Sequence, residues 1–365
     1  MKGIKMLRLA FLGDIALIGK YDLTKNSSVC ITLKPLADKL KEYDYIVANL
    51  ESPLTDMKKT WVCKSMHLRT PKQNVEMLNF LGINTVSLAN NHIMDFGKEG
   101  LTDTIETLDN HSIEWFGANN RVLNKTIKNE QITFSGFCCY STNGTGYIEN
   151  GNGFGVVPLT HNNVIEQLKK DNEQGAFSVL SFHWGLEHVS WPNFEHICLA
   201  KKIASIKNVM IHGHHPHVIQ GVQKINGSLI AYSMGNCLFD DCASINNSFV
   251  LKQNDENRKS FILEIIIRNG TIESHKLHGF KEVEGSLVFF DINQEISDIS
   301  HPLYGITDQE AYEEKRSLQY RNVVSGKFGK RDLKWLKSRM NYYSIGARLS
   351  AFFRNKKYLK VKNFF

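Results

Sequence analysis

The sequence predicts a layered α/β domain that ends in a basic, helical extension, and three observations predict it. Short apolar runs alternate with segments of helical spacing through the first three-quarters of the chain. Polar residues able to bind metal stand where those apolar runs stop. Positive charge gathers at the C-terminal end: residues 327–365 hold twelve Lys/Arg against Asp332 alone, a net +11 in a chain of +7, which leaves the remainder at −4.

The elements follow in order. "LRLAFLG" reads as a strand, and "PLADKLKEY" as a helix with Pro35 in its first turn, where a missing N–H does no harm. "YIVANLE" is a second strand, "NVEMLNFLG" a helix ending at Gly82, and "INTVSLAN" a third strand. "GLTDTIETLDN" is a helix, "FSVLSFHWG" a strand, "FEHICLAKKIA" a helix, and "NVMIHG" and "LIAYSMGN" are strands. "QNDENRK" is expected as an exposed turn before "SFILEIIIRNG". Motifs stop after about Gly279; from about Asp308 the pattern is helical and then basic. We therefore divide the chain at 1–300 and 301–365.

The bulk numbers exclude several classes. With 42% hydrophobic and 22% charged residues the chain is globular, and no apolar run is long enough to span a bilayer. Arg8 and Asp14 interrupt the opening stretch, which reads as a first strand rather than a signal peptide, so a cytoplasmic location is expected, with any contact to the inner membrane face peripheral. Seven scattered cysteines without a CxxC pair favour free thiols in a reducing compartment.

Five strand ends deliver the candidate site: Asp14 after "AFLG", Glu51 after "YIVANL", Asn90-Asn91-His92 after "TVSLA", His183 after "VLSF", and the cluster "IHGHHPHVIQG" after "NVMI". Sites in α/β sheets gather at the carboxyl ends of strands. Alone, Asp14 reads as a turn residue and Glu51 as a helix-entry acid before Pro53, while the Asn-rich run reads as a helix cap with Asp95 a surface acid. Four histidines at 212, 214, 215 and 217 are harder to place, because burying imidazoles without partners costs several kcal/mol, roughly. A metal site, a proton-transfer site and a solvated turn compete; the metal compensates most naturally. With no cysteine in these motifs the donors are mixed oxygen and nitrogen, which suits a hydrolytic centre of one or two divalent ions such as Mn, Zn or Fe. Glu187 is expected to steer a ligating imidazole, and His188 to lie at the surface.

Together "FLGDIAL", "VANLESPLT", "HLRTP", "VSLANNHIMDFGKEGLTDTIETLD", "SFHWGLEHV", "IHGHHPHVIQG" and "IAYSMGNCLFD" resemble, in order and over roughly residues 7–240, the bacterial capsule-synthesis CapA (poly-γ-glutamate) family of the calcineurin-like metallophosphoesterase superfamily. The resemblance implies a four-layer α/β/β/α sandwich with two mixed sheets between helices. It implies Asp14, Glu51, Asn91, His183, His215 and His217 as metal ligands, and His92, tuned by Asp95, as the group that protonates the departing part of the substrate. Arg69 would hold an anionic group, with Asn90, Trp184, Glu187, His214 and Asn236 on the substrate side. Two departures stand out: Ile15 and Ala16 follow Asp14 where the superfamily has Asp-x-His, and Cys237 replaces an aromatic residue.

Two functions are weighed: a metal-dependent hydrolase acting on an anionic polymer or phosphoester in capsule metabolism, and a non-catalytic subunit of a capsule-synthesis complex. In the tail, Leu333, Leu336, Met340, Tyr343 and Ala347 fall at helical spacing with Lys334, Lys337, Arg339 and Arg348 interleaved. That suits a helix packed on the domain or one resting on an anionic membrane. No base-reading motif accompanies the charge, so nucleic acid is not expected as a partner.

Overall fold

A computed structural model describes residues 6–149, 153–247, 249–328, 333, 337 and 340–365. Two sheets form its centre. In the first, parallel strands β1 (Leu7–Ile15), β2 (Tyr45–Leu50), β3 (Thr85–Ser87) and β4 (Glu114–Phe116) continue on the other side of β1 into antiparallel β14 (Lys259–Arg268), β15 (Thr271–Val283) and β16 (Ser286–Phe290). A short strand, β11 (Asn236–Leu238), pairs with the end of β1. The second sheet runs β5 (Leu123–Ile127), β6 (Glu130–Cys138), β7 (Phe177–His183), β8 (Val209–His214), β10 (Ser228–Ala231), β9 (Val222–Ile225). Strands β12 (Cys242–Ala243) and β13 (Val250–Leu251) make a separate hairpin.

Helices cover the outer faces. α1 (Val29–Leu40), α2 (Val75–Phe80) and α3 (Gly97–Asn110) pack on the first sheet through Leu33, Leu36, Leu78, Leu101 and Leu108. α4 (His161–Glu173) and α5 (Phe194–Ile206) cover the second through Leu168, Leu199 and Ile203. Between the sheets lies a third apolar layer containing Phe11, Phe134, Phe177, Met210 and Phe261. Strands such as "YIVANL" are buried on both faces and so read as continuous apolar runs rather than alternating ones. Truncating one of these phenylalanines to alanine costs about 3–5 kcal/mol.

Differences from the sequence expectation have local causes. α1 begins at Val29, so Pro35 is its seventh residue; the carbonyl it leaves unserved belongs to the exposed Ile31, where water substitutes. The stretch "INTVSLAN" contributes only Thr85–Ser87 before the chain turns. The stretch "LIAYSMGN" is two strands, β10 in the second sheet and β11 in the first, joined across Gly235 at φ +69°. That crossing brings Asn236 beside Asp14. It requires Gly13, since a Cβ there would lie 2.2 Å from the carbonyl oxygen of Gly235.

C-terminal to the sheets, α6 (Asn293–Tyr304) runs through residue 300 and packs on β9, with Ser300 accepting the Val222 N–H at 2.8 Å. α7 (Gln309–Phe328) and α8 (Tyr342–Val361) follow. Tyr312 and Phe365 are buried in the layer beneath α5, and the Tyr312 hydroxyl donates to the Pro192 carbonyl at 2.8 Å. Of the tail residues singled out above, Leu336, Lys334 and Arg339 lie outside the described residues. Among the described residues, no helix is long and apolar enough to cross a membrane.

Candidate metal centre

The carboxyl ends of β1, β2, β7 and β8 meet where the two sheets adjoin. Register does the gathering: Asp14 lies opposite Asn49 and Asn236, and His183 opposite His214. Two groups of donor atoms result, Glu51 with His183 and His215, and Asp14 with Glu51 and His217. Within each group one ligand atom per residue lies within 4.8 Å of the others, all are buried, and Glu51 belongs to both.

Asp14 is well satisfied. Its Oδ1 accepts from His214 Nδ1 and Asn49 Nδ2, both at 2.9 Å, and Oδ2 accepts the His215 N–H at 3.2 Å. Burial raises its pKa, but the hydrogen bond and charge of His214, then His217 and Asn49, outweigh that and hold the carboxyl at about 2. Glu51 is the reverse. It is fully buried, neither oxygen receives a hydrogen bond, and His217 Nε2 (3.5 Å) and His183 Nε2 (3.8 Å) approach Oε1. Burial, then the negative charge of Asp14, pushes its pKa well above the ordinary value.

The imidazoles are in ligand form. Burial first, then neighbouring imidazoles, takes His183 well below its usual pKa, and burial takes His215 down to about 3. His217 Nδ1 is engaged by Asn236 Oδ1 at 2.8 Å, which leaves Nε2 turned to Glu51. Both His215 (φ +98°) and His217 (φ +56°) have left-handed backbones, a conformation that side chains occupy at some energetic expense. A sealed carboxylate without partners, beside neutral imidazoles with free nitrogen atoms, is a donor set that fits a divalent cation.

His92 stands at the edge of this group, lining a cavity of about 90 Å³ with Asn91, Glu187, His188 and His217. Its Nδ1 meets Asp95 Oδ2 at 2.6 Å, and the same oxygen accepts the Leu68 N–H at 2.7 Å. Lys64, fully buried, donates to Asp95 Oδ1 at 2.5 Å and to the Asn91 carbonyl at 2.6 Å. Burial, then the Lys64 charge, lowers His92 to about 4. Nδ1 is taken up by Asp95 and lies 3.2 Å from Lys64 Nζ, and Nε2 is the ring nitrogen outside these contacts.

The other expected site residues divide. Asn91 Oδ1 faces His183 Nε2 at 2.9 Å, inside the centre. Asn90 braces the turn, its Oδ1 accepting from the N–H groups of His92 and Ile93, as a cap does. His214 and Asn236 hold Asp14 and His217 rather than facing the cavity. His212 Nε2 donates to the Leu12 carbonyl at 2.8 Å, behind the centre. Trp184 is core: its Nε1 donates to the Tyr232 carbonyl and its ring stacks on His196 at 4.9 Å. Arg69 is turned away, 3.4 Å from the Asp56 carbonyl. Glu187 lines the cavity, but its nearest imidazole is His188 at 3.8 Å. His188, expected at the surface, is buried in the cavity wall with its N–H on the Pro216 carbonyl. Asp95, expected as a possible surface acid, is fully buried.

Three residues escaped the sequence reading. Asn49 carried a signal, a polar residue inside an apolar strand. Lys64 and His188 carried none, because their roles depend on partners 31 and 69 positions away.

Fold and site thus define an α/β protein with a buried carboxylate–imidazole centre at its strand ends. The chain belongs to the family described as "Bacterial capsule synthesis protein PGA_cap", whose model matches residues 8–241. It is 29% identical over 245 residues to the "PGA biosynthesis protein CapA" of Bacillus subtilis (strain 168), covering 64% of each chain. It is 26% identical over 249 residues to the "Capsule biosynthesis protein CapA" of Bacillus anthracis, covering 64% of this chain and 60% of that one. The match therefore spans less than two thirds of those relatives' length. A solved protein of Thermus thermophilus aligns with a TM-score of 0.38 at 12% identity, over 68% of this chain and 99% of that one.

Proposed function

We propose that this protein is a metal-dependent hydrolase of the metallophosphoesterase type that works in poly-γ-glutamate capsule or related cell-surface polymer biosynthesis. The observation that carries the reading is Glu51, shared by two donor groups and otherwise unsatisfied. Asp14, Glu51, Asn91, His183, His215 and His217 would hold one or two ions, with zinc, iron and manganese suited to the oxygen–nitrogen donors. A divalent cation held there supplies hydroxide from water at neutral pH and offsets charge on the reacting oxygen atoms. The chain's own part is proton handling. Neutral His92 presents Nε2 to the cavity, so it takes up a proton first and returns it to the departing group, while Asp95 and Lys64 fix its orientation. This refines the expectation of a resting general acid.

The test pairs His92→Ala with His217→Ala in the full chain loaded with Mn²⁺ or Zn²⁺. Elemental analysis should find metal retained in the first and reduced in the second, and hydrolysis of an aryl phosphodiester should fall at least about 100-fold in both. Wild-type protein that takes up no metal and hydrolyses nothing overturns the reading. A non-catalytic role in a capsule-synthesis complex is the second reading, favoured by Ile15 and Ala16 where the superfamily has a further histidine ligand. Both variants supporting capsule assembly in cells would establish it.

A further inference from the structure

We infer that the outward face of α8 docks the protein on an anionic membrane surface. This helix is anchored on one side and apolar on the other. Tyr343, Ser344, Ala347, Arg354 and Tyr358 face the domain: the Tyr343 hydroxyl donates to the Thr60 carbonyl at 3.0 Å, Arg354 donates to Asn143 Oδ1 at 2.8 Å, and Tyr358 bonds Glu195. The packing stripe expected from the sequence accounts for Tyr343 and Ala347 and ends there. On the opposite side Ile345, Leu349, Phe352 and Leu359 follow one another at spacings of four, three and seven, a single line along the helix, and each is more than half exposed.

The inward contacts matter to the argument, because they fix which way that second stripe points. Arg348, Lys356 and Lys360 flank it, all exposed, and Lys356 lies over the Phe352 ring at 4.5 Å. No Asp or Glu occurs in 333–365. A protein groove would need acids and apolar pockets in register with this line. A lipid surface needs neither register nor shape: acyl chains take the apolar residues while anionic headgroups meet the lysines that snorkel toward them. Trp61, 89% exposed, adds an interfacial aromatic at the start of the helix, where its carbonyl accepts from the Tyr342 hydroxyl at 3.1 Å. α8 lies on the surface rather than across it, since it is too polar to span.

Docking also has a place in the architecture. The inner face of α8 contacts Asn143 and the segment 60–67, and Asn143, Ser65 and Met66 line the cavity. The cavity would open beside the lipid surface, where a polymer in assembly is met.

The experiment is sedimentation of the full chain with vesicles of phosphatidylcholine, alone or with roughly a third phosphatidylglycerol, at about 0.1 M salt. The protein should pellet with the anionic vesicles, remain in solution with the neutral ones, and be released by high salt. Leu349→Ser/Phe352→Ser should weaken binding at least about tenfold, and Arg348→Glu/Lys356→Glu/Lys360→Glu about 100-fold or more. All five side chains are exposed, so the thermal midpoint should not move. Three results overturn the inference: no pelleting with anionic vesicles, undiminished binding by both variants, or a dimer in light scattering that Leu349→Ser/Phe352→Ser dissolves. The last assigns the face to a second copy. None of these readouts uses turnover or metal, so failure here and failure of the hydrolase reading are separable.

Discussion

At the strand ends, Asp14, Glu51 and a set of imidazoles are sealed from water, while on α8 Ile345, Leu349, Phe352 and Leu359 stand more than half exposed. The two regions depart from ordinary burial in opposite directions. In the first, polar groups are held by register between strands and by hydrogen bonds, and both oxygens of Glu51, which belongs to both donor groups, are among the atoms left unserved. In the second, apolar groups are held outward by a helix whose other side is anchored. The unsatisfied remainder differs accordingly, carboxylate oxygens in one region and apolar side chains in the other, and the proposed cation and the proposed lipid surface each answer one of them.

Lys64→Met leaves Asp95 buried without its cationic partner, and urea denaturation should show a loss of about 3–5 kcal/mol. Glu51→Gln should behave differently, although it is equally buried. No hydrogen bond is lost, so metal-free stability should change by about 1 kcal/mol or less, while metal uptake measured by equilibrium dialysis should collapse. A large loss of stability in Glu51→Gln would mean that the carboxylate serves the fold. Smaller still is the tail: Leu349→Ser/Phe352→Ser should leave stability in water within about 0.5 kcal/mol.

Acid offers the finest test, at a buried carboxylate outside the two donor groups. Burial raises the pKa of Asp22, but hydrogen bonds from Asn74, Thr24 and Lys25 and the Lys25 charge outweigh it, so the folded value lies below the usual 3.8. The linked stability is present above 3.8 and disappears as pH falls through the lowered value. Asn74→Ala, which removes a 2.8 Å bond, should shift the acid-unfolding midpoint upward in a circular-dichroism titration.

Much of the fold was legible because strands and helices advertise themselves locally. "GLTDTIETLDN" declares a helical period and "YIVANL" a short continuous apolar run, and each falls within one element. The reading failed where a local pattern is shared between two environments. "LIAYSMGN" looks like one strand, yet its halves join different sheets, because only the glycine at 235 accepts the turn between them. The site shows the same limit. Residue types at strand ends picked out groups that the structure brings together, but nothing local separated Trp184, which packs in the core, from His188, which lines the cavity.

Local sequence set the inventory: several of the strands, the acids and histidines at their ends, and a stretch, 333–365, that is basic without acids. These are properties of neighbours in the chain. Tertiary structure alone decided the assignments. Pairing of β1 with β11 set Asn236 against Asp14, left-handed backbones at His215 and His217 turned two of four histidines to Glu51, and contacts at Tyr343 and Arg354 chose the face of α8 that meets solvent. The physical reason is that a donor atom's role depends on distances of a few ångströms to groups up to 200 positions away, and only the packed chain sets those distances.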